Sequence, residues 1–224
     1  FVSNAPEIIV QYKPSAHIPT KNTTATAASG VDLYAIDSDG MWHWAAPNVG
    51  ISDSGNYIFS QLRPNDNFHK LGREYQLFLP LFSSVEDLQI GVPQGSLLNP
   101  LPIRSEKPIV VLGSSIVQGQ GATRPGLAWI NILSRNLDRN VLNLGFGVNG
   151  FLEKGLIEQI NDTDARIYII DGLLDLAKES LDSSQLFAHG LIDVLKAETE
   201  VIGRSKIVDV VFDVRGEVLF LNSE

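Results

Sequence analysis

A short apolar strand followed by a serine-containing turn constrains the fold of this chain more than any other stretch. The run Pro108-Ile-Val-Val-Leu112 is rich in β-branched residues and is bounded by proline and glycine, which is typical of a buried strand. The turn Gly113-Ser-Ser-Ile116 follows it directly. In an open α/β sheet such a turn lies at the carboxyl edge, where ligands bind. The stretch therefore predicts either a hydroxyl aimed at a substrate or a simple strand-to-helix turn with a serine cap.

The sequence after residue 106 alternates between strand and helix patterns. Strand patterns occur at Ile109–Leu112, Val141–Leu144, Arg166–Ile170, Ile207–Phe212 and Glu217–Leu221. Helix patterns occur at about Gly126–Leu137, Leu152–Ile160 and Ser183–Glu198. Because such alternation builds right-handed crossovers, it predicts an α/β domain over residues 106–224, with a parallel sheet that is covered by helices on both faces.

The first half of the chain has short strand patterns without helical periods. They occur at Glu7–Lys13, Val31–Ile36, Met41–Trp44, Asn56–Leu62, Arg73–Phe82 and Val85–Val92. The stretch Asp37-Ser-Asp-Gly40 joins two of these strands and is a hairpin signal. Clustered short strands predict a β-sandwich domain over residues 1–95. The proline- and glycine-rich stretch at residues 94–106 predicts the boundary to the α/β domain.

The composition of the chain excludes several classes of function. With a net charge of −9, the chain is a poor candidate for binding nucleic acid or an anionic membrane. It has no cysteine, which excludes disulfides, thiol nucleophiles and thiolate metal sites. No apolar run is long enough to span a bilayer. The sequence begins at Phe1 rather than Met, which indicates a trimmed start or a fragment, and a removed signal peptide would not be visible.

Three loops after successive strands of the predicted sheet carry polar and glycine residues. They are Gly113-Ser-Ser-Ile116, Gly145-Phe-Gly-Val-Asn-Gly150 and Asp171-Gly-Leu-Leu-Asp175. Because the carboxyl ends of parallel strands meet at one edge of a sheet, we expect all three loops to emerge together and to reach one small ligand.

With Thr123-Arg-Pro-Gly126 and Asn143-Leu-Gly-Phe146, these loops resemble the motifs of the SGNH (GDSL-type) hydrolase superfamily. The run Gly30-Val-Asp-Leu-Tyr34 resembles the signature of bacterial members that carry an N-terminal GxDLY β domain. The resemblance covers about residues 28–176. It implies an SGNH-like, flavodoxin-like sheet after a β-sandwich domain, in a secreted or periplasmic protein that uses no cofactor or metal.

The resemblance also implies a serine esterase that acts on an acyl ester of a small molecule or a polysaccharide. Ser115 stands at the position of the nucleophile, and its backbone N–H is one donor to the oxyanion. The other two donor positions of the family, a glycine N–H and an asparagine side chain, correspond to Val148 and Asp175. Because a serine hydroxyl needs a base, an Asp-x-x-His near the end of the domain completes the triad in the family.

The chain departs from this family pattern at three places. Val148 has a β-branched side chain that restricts the backbone and crowds the loop. Asp175 carries a carboxylate, which has no N–H to donate and repels an oxyanion. No Asp-x-x-His follows, and the histidines of the chain are His17, His43, His69 and His189. Only His189 comes after Ser115, and it lies in a helix-like stretch, so we expect ester turnover by this chain to be very weak or absent.

Two function hypotheses follow from these observations. The first is a carboxylic-ester hydrolase, such as a carbohydrate deacetylase, of which this chain is a fragment. The second is a catalytically inactive SGNH-like protein that binds carbohydrate or acts as a scaffold. The missing Met favours the fragment, whereas Val148 and Asp175 lie inside the matched stretch and favour the inactive protein.

Two polar residues near the predicted nucleophile have alternative interpretations. Arg124 either binds a substrate oxygen or carboxylate, or is a solvated arginine at the start of a helix. Asp171 is either a catalytic acid or, as we favour, a residue that caps a helix or hydrogen-bonds the nucleophile loop.

Two groups of residues in the first half also have alternative interpretations. Tyr34, Trp42 and Trp44 either form a carbohydrate-stacking surface or, as we favour, pack in the sandwich. The acidic residues Asp32, Asp37 and Asp39 suggest calcium, but their spacing is better explained by turn chemistry.

Overall fold

The computed structural model describes residues 1–15, 22–47, 55–63, 69–147, 160, 162–171, 209–212 and 218–221. The contacts within the chain divide it into two compact units. The first comprises Phe1–Arg104 and Gln120–Leu137, and the second comprises Ser105–Gly119 and Asp138–Glu224. Residues 120–137, which we call the strap segment, thus follow the predicted nucleophile turn in sequence but belong to the first unit.

The first unit contains two antiparallel sheets. Its strands are β1 (Val2–Ser3), β2 (Ile8–Pro14), β3 (Asp32–Ile36), β4 (Trp42–Trp44), β5 (Asn56–Phe59), β6 (Arg73–Phe78), β7 (Val85–Gly91) and β8 (Leu98–Asn99). One sheet has the order β4-β3-β6-β1-β8 and the other has the order β5-β2-β7. The helices of the described residues are α1 (Ala25–Ser29), α2 (Ser115–Gln118), a 3₁₀ turn (Pro125–Leu127) and α3 (Trp129–Leu137).

One hydrophobic cluster forms the core of the first unit, and it takes side chains from both sheets. Along β2 the residues alternate, so that Ile8 and Val10 are buried while Gln11 is exposed. Leu33 of β3 and Phe59 of β5 join the same cluster and are completely buried. Burial of each such side chain stabilises the fold by about 1.5–3 kcal/mol. Because a slip of one residue would turn these side chains to the other face of the sheet, the alternation fixes the register of the strands.

The hairpin predicted at Asp37–Gly40 is confirmed. β3 pairs with β4 in antiparallel register, with Tyr34 opposite Trp44. Gly40 has φ of +77°, a left-handed conformation that favours glycine. The Asp39 carboxylate accepts a hydrogen bond from the Met41 N–H at 2.8 Å, so this acidic turn has the turn chemistry that the sequence favours.

The second unit contains three parallel strands. β9 (Ile109–Gly113) lies between β10 (Val141–Gly145) and β11 (Ile167–Asp171) and is parallel to both. Each residue of β9 is buried, as expected of a β-branched run in the centre of a sheet. The parallel arrangement predicted for these three strands is therefore confirmed.

A hairpin near the end of the second unit differs from the prediction. β12 (Asp209–Phe212) pairs with β13 (Val218–Leu221) in antiparallel register, whereas the sequence analysis assigned residues 207–212 to the parallel sheet. The physical reason is the short connection, because a parallel pair needs a crossover of a dozen or more residues.

Short elements account for the other differences. The predicted helix at 126–137 is a 3₁₀ turn followed by α3, because Ala128 has extended ψ of 135°. Helices α1 and α2 were not predicted, because helices of 5 and 4 residues are too short to show a periodic sequence pattern. β8 lies within the predicted linker at 94–106, because it pairs with β1. The predicted helices at 152–160 and 183–198 fall outside the described residues, apart from Ile160.

Candidate active site

The three parallel strands of the second unit end side by side. Gly113, the last residue of β9, is in register with Gly145 of β10 and with Asp171 of β11. The loops that follow these strands therefore start at one edge of the sheet, which is the carboxyl edge where α/β proteins bind ligands. The side-chain role of Asp171 stays a prediction.

Ser115 lies at this edge as the first residue of α2. Ser114 is in the capping position with extended backbone angles, and its side chain makes no capping hydrogen bond. The Gly119 N–H donates to the Ser115 carbonyl at 3.1 Å, and Gly119 ends the helix with a left-handed φ of 113°. The half-buried Ser115 is thus held in a tight strand-to-helix turn, and its role as a nucleophile stays a prediction.

Gly145 lets the end of β10 approach α2 closely. A Cβ atom on Gly145 would lie 2.1 Å from the backbone nitrogen of Gln118 and 2.5 Å from its Cα. Because these are backbone atoms of the helix, they cannot move aside cheaply. A glycine is therefore required where β10 meets the helix that carries Ser115.

Asn143 orients the loop that follows β10, a role that the sequence analysis missed. Its side-chain oxygen accepts a hydrogen bond from the Gly145 N–H at 3.0 Å. Its amide nitrogen lies 3.5 Å from the Gln118 carbonyl oxygen, and the Phe146 N–H donates to the Gly113 carbonyl at 3.1 Å. The Asn-x-Gly spacing was the available signal, because asparagine side chains commonly bond the backbone two residues ahead.

The other residues predicted for the oxyanion site lie outside the described residues. Val148 follows the last described residue of the β10 loop, Gly147, and Asp175 follows the end of β11. Their convergence on Ser115 stays a prediction. The loops that would carry them begin at Gly145 and Asp171, on the same sheet edge as Ser115.

No histidine occurs among the described residues of the second unit. His43 and His69 lie in the first unit, while His17 and His189 fall outside the described residues. His43 is exposed and contacts the Asp39 carboxylate at 2.8 Å. The base for Ser115 is thus not identified among the described parts of the chain.

Arg124 lies in the strap segment and contacts a buried carboxylate of the first unit. Its Nη1 atom lies 3.3 Å from Oδ1 of Asp32 and 3.4 Å from Oδ2. Its guanidinium lies 4.0 Å from the centre of the Trp44 ring. The Arg124 side chain is 20% exposed, so it is held by protein rather than solvated; contact with a substrate stays a prediction.

Asp32 also binds the backbone of the strap segment. Its Oδ2 accepts a hydrogen bond from the Gly126 N–H at 2.8 Å, and Asp32 is 3% exposed. Along β3, Asp32 and Tyr34 point to one face of the strand while Leu33 points to the core, as alternation requires. In the Asp32-Leu-Tyr34 signature, Leu33 thus packs in the core, whereas Asp32 and Tyr34 face the strap segment.

Tyr34 packs against the strap segment rather than presenting a free aromatic surface. It is 4% exposed, and the guanidinium of Arg135 lies 3.9 Å from its ring centre. Burial lowers the pKa of that guanidinium from its ordinary value. Trp44 is 44% exposed but has Arg124 over its ring. These contacts fit the packing interpretation of the aromatic residues.

The described residues hold no group of three or more histidine, aspartate or glutamate side chains arranged for a metal ion.

The longest described helix, α3, has 9 residues. None of the described helices has the length and apolarity needed to cross a membrane.

Several solved structures are similar to this chain. A protein from Bacteroides ovatus described as a GDSL-like lipase is 26% identical, with a TM-score of 0.74 over 93% of this chain and 58% of that one. The salicylyl-acyltransferase SsfX3 from a tetracycline biosynthetic pathway is 17% identical, with a TM-score of 0.66 over 95% and 57%. A family two carbohydrate esterase from Clostridium thermocellum, solved with cellohexaose, is 10% identical, with a TM-score of 0.56 over 96% and 71%.

The comparisons with solved structures support less than the matches to family models. The last two similarities show the fold alone, and the chain spans 58% and 57% of the first two structures' length. No curated protein matches the chain. Two family models do match. Residues 106–202 match the GDSL-like lipase/acylhydrolase family, and residues 1–98 match the N-terminus of SGNH-hydrolase-type esterases. The chain belongs to the SGNH (GDSL-type) hydrolases that carry an N-terminal GxDLY domain.

Proposed function

We propose that this protein is a carboxylic-ester hydrolase in which Ser115 is the nucleophile. The observation that carries the proposal is the position of Ser115 at the start of α2, beside the ends of three parallel strands in register. This position lies within the stretch that matches the GDSL-like lipase/acylhydrolase family.

The proposed reaction has two steps. The Ser115 hydroxyl attacks the ester carbonyl, its proton passes to a base, and the tetrahedral intermediate releases the alcohol to leave an acyl-enzyme. Water then attacks the acyl-enzyme, releases the carboxylic acid and restores the Ser115 hydroxyl. The backbone N–H of Ser115 is one proposed donor to the oxyanion, since preorganised N–H groups stabilise the charge that develops there.

The proposed substrate is an acyl ester of a carbohydrate, such as an acetylated sugar. Among the similar structures, one is a carbohydrate esterase in complex with cellohexaose and another is a salicylyl-acyltransferase. Both names describe transfer or hydrolysis of an acyl group. A polysaccharide substrate fits a secreted or periplasmic location, which belongs to the proposal and is checked by fractionating the source cells.

The detailed architecture of each unit is also part of the proposal. We propose that the second unit is a flavodoxin-like sheet covered by helices on both faces, and that the two sheets of the first unit pack as a β-sandwich. The shared core cluster of the two sheets and the parallel register of β9, β10 and β11 support this arrangement.

The test is hydrolysis of p-nitrophenyl acetate by the 224-residue chain beside Ser115→Ala and Ser114→Ala. Ser114 is a matched control because it is the neighbouring serine and its side chain makes no capping hydrogen bond. We expect a slow rate that Ser115→Ala abolishes and Ser114→Ala retains. We expect the rate to be slow because loss of one oxyanion donor or of the base lowers the rate of such an enzyme by about two to four orders of magnitude. A rate that also requires His189, shown by His189→Ala, assigns the base.

Equal rates for the unchanged chain and Ser115→Ala would contradict the proposal. They would favour the second candidate, an inactive SGNH-like protein that binds carbohydrate. The sequence observations that favour this candidate are Val148 and Asp175, which stand at the two donor positions of the family pattern. Binding of cello-oligosaccharides or acetylated xylan without turnover would then identify its ligand.

A further inference from the structure

We infer that the first unit has a binding site for a sugar acid, in which the guanidinium of Arg124 binds the carboxylate and the ring of Trp44 contacts the sugar ring. A second guanidinium, that of Arg135, supplies positive charge that the carboxylate balances. The inference goes beyond the proposed function, because it concerns binding by the first unit and makes no use of Ser115.

The site lies on the outer face of the sheet that contains β3 and β4. Tyr34 of β3 is directly opposite Trp44 of β4, so their side chains share one face. Asp32 stands two residues before Tyr34 and therefore lies on the same face of β3. The strap segment contributes two arginines whose guanidinium groups lie over the rings of this face. All of these residues belong to the first unit.

Arg124 has hydrogen-bonding capacity left for a ligand. A guanidinium has five N–H donors. Both hydrogen bonds that Arg124 makes to described residues use Nη1, which lies 3.3 Å from Oδ1 and 3.4 Å from Oδ2 of Asp32. Because the side chain is also partly exposed, we assign the remaining donors of its planar fork to the carboxylate of the ligand, which such a fork binds in two parallel hydrogen bonds.

The surroundings of Asp32 contain more positive than negative charge. The guanidinium of Arg135 lies 3.9 Å from the centre of the Tyr34 ring, and its Nη1 is buried with no hydrogen-bond partner among the described residues. Burial lowers the pKa of Arg135, and repulsion by Arg124 adds to this effect, although Tyr34 and Asp32 act in the opposite direction. One carboxylate thus faces two guanidinium groups, in a chain whose net charge is −9. A bound anion balances the second cation.

Trp44 defines the rest of the ligand. Its ring is 44% exposed whereas Tyr34 is 4% exposed, so Trp44 is the ring of this pair that a ligand can contact. The Arg124 guanidinium lies 4.0 Å from the centre of the Trp44 ring, which puts the cation beside the exposed aromatic surface. An aromatic ring has an apolar body, which suits the C–H face of a pyranose. A carboxylate attached to a sugar ring fits both groups at once.

The experiment titrates the 224-residue chain with methyl glucuronide and follows the indole N–H signals of its 3 tryptophans by NMR. Trp44→Phe identifies the Trp44 signal. Methyl glucoside has the same ring without the carboxylate, and acetate has the carboxylate without the ring. We expect a saturable shift of the Trp44 signal with methyl glucuronide, at a Kd about tenfold or more below that of either control ligand. Added salt should weaken this binding.

Four variants complete the design. Arg124→Gln removes the charge and the fork, and it should raise the Kd for methyl glucuronide about tenfold or more. Arg124→Lys keeps a cation beside Asp32 but loses the planar fork; it should raise the Kd by a smaller factor, and it replaces Arg124→Gln if that variant does not fold. Arg135→Gln should raise the Kd about threefold, because Arg135 acts through its charge. Lys13→Gln is the matched control, because it removes one positive charge from an exposed ion pair with Asp87 on the other sheet of the same unit; it should leave the Kd unchanged.

Several results would overturn the inference. Equal affinity for methyl glucuronide and methyl glucoside would show that the carboxylate is not recognised, and equal affinity for methyl glucuronide and acetate would show that the sugar ring is not. A Trp44 signal that does not shift, or equal effects of Arg124→Gln and Lys13→Gln, would show that this face is not the site. An unchanged Kd in Arg135→Gln would contradict the charge argument. Each result is distinct from failure of the proposed function, because the titration uses no ester.

Discussion

Gly126→Ala is the sharpest test of the contact between the GxDLY signature and the strap segment. The new methyl carbon would lie 2.3 Å from Cε2 of Tyr34 and 2.9 Å from Oδ2 of Asp32. Tyr34 cannot retreat, because it is 4% exposed and packs edge-on against Phe78 at 5.4 Å. Overpacking of this kind costs about 1–3 kcal/mol. Displacing a hydrogen bond to a charged group costs about 1.5–3 kcal/mol more.

The free energy of unfolding should therefore fall by about 3–5 kcal/mol. For a chain of this length that corresponds to a lower Tm by roughly 10 °C. Gly91→Ala is the matched control, because nothing lies within 4 Å of its added methyl and its φ is not left-handed; it should be neutral or stabilising by about 0.4–1 kcal/mol. The assay is urea and thermal unfolding by circular dichroism. If the free energies of unfolding of Gly126→Ala and Gly91→Ala lie within about 1 kcal/mol of each other, a typical effect of a single substitution, the reasoning about this contact is refuted.

Three further predictions follow from the described contacts. Gly145→Ala should slow any Ser115-dependent reaction more than tenfold, because its methyl would lie 2.1 Å from the Gln118 nitrogen; kinetics beside Gly91→Ala would show no difference if this is wrong. Phe59→Ala should cost about 3–5 kcal/mol in unfolding free energy, because Phe59 is completely buried. The Met41 N–H, and after it His43, lower the pKa of Asp39. The stability that this carboxylate contributes is therefore complete above its unfolded pKa of about 3.9 and is lost as pH falls through the folded value; an NMR titration of Asp39 with a pKa at or above 3.9 would contradict this.

The parts of the fold that were predictable from sequence are those with strong local signals. The buried run at Ile109–Leu112 and the Asp-Gly hairpin at residues 37–40 are confirmed because each has a signal in a few neighbouring residues. The hairpin of β12 and β13 was not predicted as antiparallel, because the strand patterns do not specify their pairing partners. Helix α2 was missed because 4 residues have no period.

The contacts of Arg124 show why part of the first unit's structure was beyond sequence reasoning. Its partner Asp32 is 92 positions away along the chain, and no local pattern links the two. The sequence analysis listed the GxDLY signature and the Arg-Pro-Gly motif separately, although the two bond to each other through Gly126. By contrast, the place of Ser115 followed from a strand and a turn that adjoin in sequence.

The central claim is that Ser115 is the nucleophile of an acylhydrolase, and covalent labelling tests it most directly. A fluorophosphonate forms one bond to an activated serine oxygen with loss of fluoride, so a single event reports the nucleophile even where turnover is slow. The labelled 224-residue chain is digested and the modified residue is located by mass spectrometry, with Ser115→Ala and Ser114→Ala treated in parallel. The account predicts one adduct, on Ser115, that is absent from Ser115→Ala and present in Ser114→Ala. An adduct on another serine, or equal labelling of the unchanged chain and Ser115→Ala, would contradict it.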